Sequence, residues 1–191
     1  MNRFVSIQVF LFLLFSLQAT AQKSEQFKIH SHNDYLQTVP FWTAFSAGAS
    51  SIEVDVILKD GKLTAAHEPE TIDQKRTIES LYLDPISEGL KNGLISTIDF
   101  HLLVDLKTEA YATLELLVES MENYDDVLYS SDNPEGLKLI ISGNRPKTAD
   151  YSKYPAYMLF DYQSTQLSPD LPWDKIGMVS LSFRQFSIWN G

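Results

Sequence analysis

Residues 50–68 read SSIEVDVILKDGKLTAAHE. In a strand, side chains two apart share a face, so Ile52, Val54 and Val56 take one side and Glu53 and Asp55 the other. Strands of a parallel sheet are normally buried on both faces and read as uniformly apolar. Two carboxylates on one face of such a strand therefore mark a site rather than a solvated surface. Lys59-Asp60-Gly61 is a tight turn that brings the chain back through KLTAAHE to His67.

Working outward, the chain alternates short β runs with connectors. FKIHSH (27–32) precedes this stretch as a strand, and TVPFWTAFSAG (38–48) predicts a helix with Thr38 near its cap, Pro40 in its first turn and Gly48 as its stop. FHLLVDLK (100–107) is a third strand. EAYATLELLVESMENY (109–124) predicts a helix with Tyr111, Leu114, Leu117, Val118 and Met121 as its core stripe. LKLIISG (137–143), AYMLFDY (156–162) and GMVSLSF (177–183) supply three more strands. Strands alternating with crossovers imply an α/β protein with a parallel sheet, either an open doubly wound sheet or most of a barrel. A complete (β/α)8 barrel takes about 250 residues, and FSIWNG (186–191) follows directly on the sixth strand. The expectation is an incomplete (β/α)8 TIM barrel of about six strands, one domain over residues 22–191, lacking its last strands.

Of 191 residues, 44% are hydrophobic and 21% charged, enough apolar material for one core. The absence of cysteine excludes disulfides, thiolate metal sites and cysteine nucleophiles. A formal charge of −10 argues against a nucleic-acid partner, which requires a basic footprint, and against adsorption to anionic lipid. The N-terminal MNRFVSIQVFLFLLFSLQATAQ has a basic start at Arg3, an apolar run VFLFLLFSL and an Ala19-Thr20-Ala21 cleavage pattern. That run is much shorter than the about 20 apolar residues of a membrane span. Residues 1–21 thus read as a cleaved signal peptide, and the chain as exported, periplasmic or secreted, with no stable membrane anchor.

The strand ends carry chemistry. Glu53 with Asp55, Asp105 with Lys107, and His30 with His32 each share a face. In a parallel barrel the active site lies at the carboxyl ends of the strands. Two like charges at ~4 Å repel by roughly 4 kcal/mol at an effective dielectric of about 20. Glu53, Asp55 and Asp105 brought together must therefore take up protons or hold a cation. An all-oxygen set favours one divalent cation, Mg²⁺ or Ca²⁺, over zinc. His67, with His30 or His32, offers two imidazoles whose ordinary pKa of about 6.5 suits one as base and the other as acid. Lys107 reads as a charge for a phosphate. His32 and Asn33 stand as catalytic or supporting groups, Asn33 equally as a cap or loop closure. The SGNRP loop offers either substrate contacts through Asn144 and Arg145 or a turn closed by Pro146. His101 begins the third strand, away from the catalytic end, and reads as structural.

IHSHNDY, AFSAGASSIEVDVILKDGKLTAAHE, RTIESLYLDPI, LLVDLKT, IISGNRP and VSLSFRQFSIWNG together resemble the glycerophosphodiester phosphodiesterase and phosphatidylinositol phospholipase C-like superfamily. The nearer branch is that of exported bacterial relatives and the fungal altered-inheritance-of-mitochondria proteins. The resemblance implies a (β/α)8 barrel, phosphoric diester hydrolysis of a small-molecule substrate of glycerophosphodiester or phospholipid type, and a divalent cation. It implies His30 and His67 as catalytic, Glu53, Asp55 and Asp105 as metal ligands, and Lys107 beside the phosphate. The chain departs from the phosphodiesterases proper in having His30-Ser31-His32 for H-R-G, no E-N-T, and His67-Glu68 for H-D. Two other readings compete: a zinc metallohydrolase using His30-x-His32 as ligands, and a non-catalytic exported binding protein on a degenerate barrel.

Overall fold

The computed structural model describes residues 28–96 and 98–185. The signal-peptide reading of residues 1–21 and the segment 186–191 lie outside the described residues.

The fold is mixed α/β around one curled sheet. Its strands are β1 (His30–Ser31), β2 (Ser51–Lys59), β3 (Lys62–Ala65), β4 (His101–Leu106), β5 (Lys138–Gly143), β6 (Met158–Tyr162) and β7 (Ile176–Val179). Six run parallel in the order β1-β2-β4-β5-β6-β7, as a half-barrel, and β3 folds back antiparallel on β2. The six expected parallel strands are therefore all present. β3 extends β2 as a hairpin from Val56↔Ala65 to Lys59↔Lys62. Its two-residue turn has positive φ at both Asp60 (50°) and Gly61 (72°), the backbone that matches the twist of paired strands.

Among the described residues three α-helices carry crossovers: α1 (Trp42–Ser46), α2 (Asp84–Lys91) and α3 (Ala110–Met121). α1 is shorter than expected. It starts at Trp42 behind Phe41, whose φ of 61° breaks the helical path, and Thr38 does not cap it. α2 follows a wide turn over Glu79–Leu83 and was masked in the sequence by Pro85, which sits harmlessly in its first turn. In α3 the buried set is Ala110, Thr113, Leu114, Leu117 and Met121. Tyr111 instead turns outward and donates to Asp150 at 2.8 Å. No helix among the described residues is long and apolar enough to cross a membrane.

The two faces of the sheet differ. Ile52, Val54 and Val56 of β2, Leu102, Val104 and Leu106 of β4, and Leu139 and Ile141 of β5 pack with the helices into the main core. Leu103 and Ile140 are also buried but lie on the opposite face with Glu53, Asp55 and Asp105. One face of each strand thus supplies the hydrophobic stabilisation, which frees the other for polar groups.

A buried carboxylate pins the crossover after β1. Asp34, fully buried, accepts hydrogen bonds from Phe41 N–H (2.7 Å), Ser31 Oγ (2.9 Å) and Tyr82 Oη (3.1 Å). Asp34→Ala leaves two of these donors buried without an acceptor, so it is expected to lower unfolding free energy by about 3 kcal/mol. Urea denaturation measures this, and Asp34→Asn falls between it and wild type.

Candidate functional site

Parallel pairing brings the carboxylates together. β2 and β4 align Asp55 directly with Asp105, and β4 and β5 align Asp105 with Ser142. Glu53 lies two residues earlier on the same face of β2. One oxygen from each of Glu53, Asp55 and Asp105 lies within 4.8 Å of the others. Glu53 and Asp55 are buried, and Asp105 is partly so. Lys107 sits between two of them, its Nζ 3.2 Å from Asp55 Oδ1 and 3.3 Å from Asp105 Oδ1. Burial alone would pull Lys107 down, but Asp105 and Asp55 outweigh it and hold the ammonium above its ordinary value. Lys107 therefore stays cationic through neutral pH. Its pairing contributes below the unfolded lysine range and is lost only as pH rises through the raised value.

His30 on β1 and His32 just after it both approach Glu53. His30 Nε2 and His32 Nε2 stand 3.6 and 3.4 Å from Glu53 Oε2, and His30 Nδ1 bonds Ser51 Oγ at 2.9 Å. Asn33 enters through its backbone, donating its N–H to Glu53 Oε2 at 3.2 Å. His67 follows β3 and pairs its Nδ1 with Glu68 Oε1 at 2.8 Å. Both side chains are more than half exposed, and among the described residues Glu68 is the polar partner His67 has. Backbone pairing places this segment alongside β2, with Ala66 N–H donating to the Asp55 carbonyl at 3.2 Å.

The SGNRP loop is tied inward. Asn144 donates its side-chain N–H to the Thr108 carbonyl at 3.0 Å. Arg145 Nη1 is buried without a hydrogen bond, 3.9 Å from Asp161 Oδ2. Asp161, buried on β6, accepts from Ser142 Oγ (3.0 Å), Gln163 Nε2 (2.6 Å) and Ser180 Oγ (2.6 Å). This polar cluster next to Ser142 was not read from the sequence, since a lone aspartate in MLFDY gives no spacing signal. Tyr35 was also missed: its hydroxyl donates to Asp55 Oδ2 at 2.8 Å. Burial, then the bond to Asp55, raise the Tyr35 hydroxyl far above the ordinary phenol range, so it remains a donor. His101 lies on the same face as Asp105, in register with Ser51. Burial, then His30 and Lys28, lower its pKa, so it is neutral near pH 7.

The donor set fits a hard divalent cation. Asp55 Oδ1 is buried with no hydrogen bond of acceptable geometry. Three carboxylates against one ammonium leave two negative charges. Opposed oxygens lie about 4.0–4.2 Å apart around Mg²⁺ and about 4.6–5.2 Å around Ca²⁺, and the observed spread is compatible with both.

Residues 19–97 match the AIM6-like phosphodiesterase domain. That span holds His30, His32, Asn33, Glu53, Asp55 and His67. The altered inheritance of mitochondria protein 6 homolog of Arthroderma benhamiae is 31% identical over 124 residues, covering 53% of this chain and 40% of that protein. The altered inheritance of mitochondria protein 6 of Kluyveromyces lactis is 28% identical over 134 residues, 66% of this chain and 30% of the relative. The Lachancea thermotolerans protein is 40% identical over 62 residues, 31% of this chain and 14% of the relative. The matches thus span less than half of these relatives' length. No solved structure gave a significant match. The expectation of an exported, periplasmic or secreted protein is corrected by these relatives, whose name ties them to inheritance of mitochondria rather than to export. An apolar run behind one arginine reports hydrophobicity and not destination.

Gly143 gives a direct handle on this geometry. Its φ is 67°, and a Cβ there would collide with Asp105 Oδ1 and the Leu106 carbonyl. Gly143→Ala is expected to cost about 2 kcal/mol or more in urea denaturation, from the left-handed backbone and the clash with Asp105. The resemblance read from IHSHNDY and SSIEVDVILKDGKLTAAHE is shown: this chain is similar to the AIM6-like phosphodiesterases of the altered-inheritance-of-mitochondria branch.

Proposed function

We propose that this chain carries the catalytic site of a divalent-cation-dependent phosphoric diester hydrolase, on a (β/α)8 barrel of the phospholipase C-like type, acting on a small glycerophosphodiester or phospholipid-type molecule. The observation that carries the reading is the convergence of Glu53, Asp55 and Asp105 around Lys107, with His30 and His32 facing Glu53. The phosphodiesterase family match over residues 19–97 supports the reaction class. Parallel strands that deliver polar groups at successive positions support the barrel.

In this reading Glu53, Asp55 and Asp105 hold one Mg²⁺ or Ca²⁺. A bound divalent cation supplies Lewis acidity at a non-bridging phosphate oxygen. Lys107 adds a fixed positive charge beside that oxygen, where negative charge builds as the phosphorus becomes pentacoordinate. His30, anchored through Nδ1 by Ser51, presents its Nε2 on the carboxylate side. His67 has Nδ1 engaged by Glu68, which leaves Nε2 for proton transfer. One imidazole takes the proton of the attacking hydroxyl or water, and the other returns a proton to the departing alcohol oxygen. Each such group contributes about 10²–10⁴ in rate. Asn144 and Arg145 line the neighbouring strand end as substrate-side groups.

A histidine-ligated zinc hydrolase stands second because the imidazoles of His30 and His32 both approach Glu53. The ligand set that converges is all oxygen, which favours the harder cation.

Hydrolysis of a glycerophosphodiester and a lysophospholipid panel by the chain, with Mg²⁺, Ca²⁺ or Zn²⁺, tests the proposal. His67→Ala and His30→Ala are each expected to lower turnover by about 10²–10⁴ while cation affinity is kept. Loss of cation binding in His67→Ala would make it a ligand instead, and activity with Zn²⁺ alone would favour the second reading.

A further inference from the structure

The segment leaving β1 is shaped against both β2 carboxylates. Asn33, with φ of 50°, turns its N–H onto Glu53 Oε2. Two residues later Tyr35, 3% exposed, places its hydroxyl 2.8 Å from Asp55 Oδ2. Tyr35 has little freedom to move. Its carbonyl accepts from Arg76 Nη2, and its neighbour Asp34 is fixed by Phe41 N–H, Ser31 Oγ and Tyr82 Oη. The far end of the segment is Phe41, buried at φ 61°. Asn33 and Phe41, both at positive φ, are the two ends of a nine-residue stretch; asparagine adopts this left-handed conformation readily, whereas at Phe41 it is a strain that persists only where the surroundings impose it.

The two oxygens of Asp55 are consequently unequal. Oδ2 accepts from Tyr35, whereas Oδ1 is buried and faces only the Lys107 ammonium, as an ion pair at 3.2 Å outside hydrogen-bond geometry. We infer that Tyr35 is a positioning residue: its hydroxyl holds Oδ2 so that Oδ1 is the oxygen offered to a divalent cation. This rests on the cation-binding reading of the site above. A carboxylate that has lost its outer partner can rotate and offer either oxygen, and loss of such partners lowers metal affinity by about 10–100-fold.

The test is calorimetric titration of the chain with Mg²⁺ and with Ca²⁺. Tyr35→Phe is expected to weaken binding by about 10–100-fold with an unaltered near-ultraviolet circular dichroism envelope apart from the lost phenol. Tyr124→Phe removes a hydroxyl from Asp84, outside the network that holds Tyr35, and leaves cation affinity unchanged. In an Asp55→Asn background, removing the Tyr35 hydroxyl has no further effect on binding, because Tyr35 acts through Asp55. Wild-type affinity in Tyr35→Phe would overturn the positioning role and leave the cation site standing. An equal loss in the Asp55→Asn background would overturn it too, by showing that Tyr35 acts elsewhere. A wild-type chain that binds neither cation would remove the site reading and this inference together.

Discussion

The mutual repulsion of Glu53, Asp55 and Asp105 is the constraint around which the rest of this structure is arranged. Parallel register forces Asp55 against Asp105, and the pleat puts Glu53 on the same face. The backbone neighbourhood cannot be undone without a register shift, and a one-residue slip would throw the apolar face of β2 out of the core. The charge is instead managed locally. Lys107 bridges two of the carboxylates, Tyr35 and the Asn33 amide each occupy one oxygen, and Gly143 leaves room for Asp105. By formal charge the three carboxylates exceed the one ammonium by two, and the proposed divalent cation is the species that would match that excess.

Such a concentration of charge requires a scaffold with stability from elsewhere. The opposite face of the same strands supplies it, through a core of Ile52, Val54, Val56, Leu102, Val104, Leu139 and Ile141 packed beneath the helices. The division of labour is strict at single-residue resolution along β2: odd-numbered side chains from Ser51 to Asp55 serve the site, and even-numbered ones from Ile52 to Val56 serve the core. The crossover after β1 belongs to both layers. Its Asp34 is a buried structural anchor, while its flanking Asn33 and Tyr35 reach the carboxylates.

Much of this was legible in the amino-acid order. The alternation in SIEVDV fixed which residues face the site, because period two admits one solution once one face is apolar. LLVDLK delivered Asp105 for the same reason, and Asp60-Gly61 announced the hairpin. What was not legible depends on groups that meet only after folding. Tyr35 looked like one aromatic among many, since its meaning lies in a bond to a residue twenty positions away. Asp161 on β6 and its hydroxyl partners, Ser142 on β5 and Ser180 just past β7, meet only after folding. α2 was hidden because Pro85 suggests a break unless its place in the first turn is known. The outward turn of Tyr111 was missed because an aromatic at helical spacing satisfies the periodicity whether it faces the core or the Asp150 carboxylate. The N-terminal run was read for export, a destination its relatives correct.

Whether Glu53, Asp55 and Asp105 together hold a cation decides what this face of the sheet does. Calorimetric titration of the wild-type chain beside a Glu53→Gln, Asp55→Asn, Asp105→Asn triple variant measures this directly. A single Mg²⁺ or Ca²⁺ per chain is expected in the wild type and none in the variant. Equal cation binding by both proteins, or binding by neither, would contradict it.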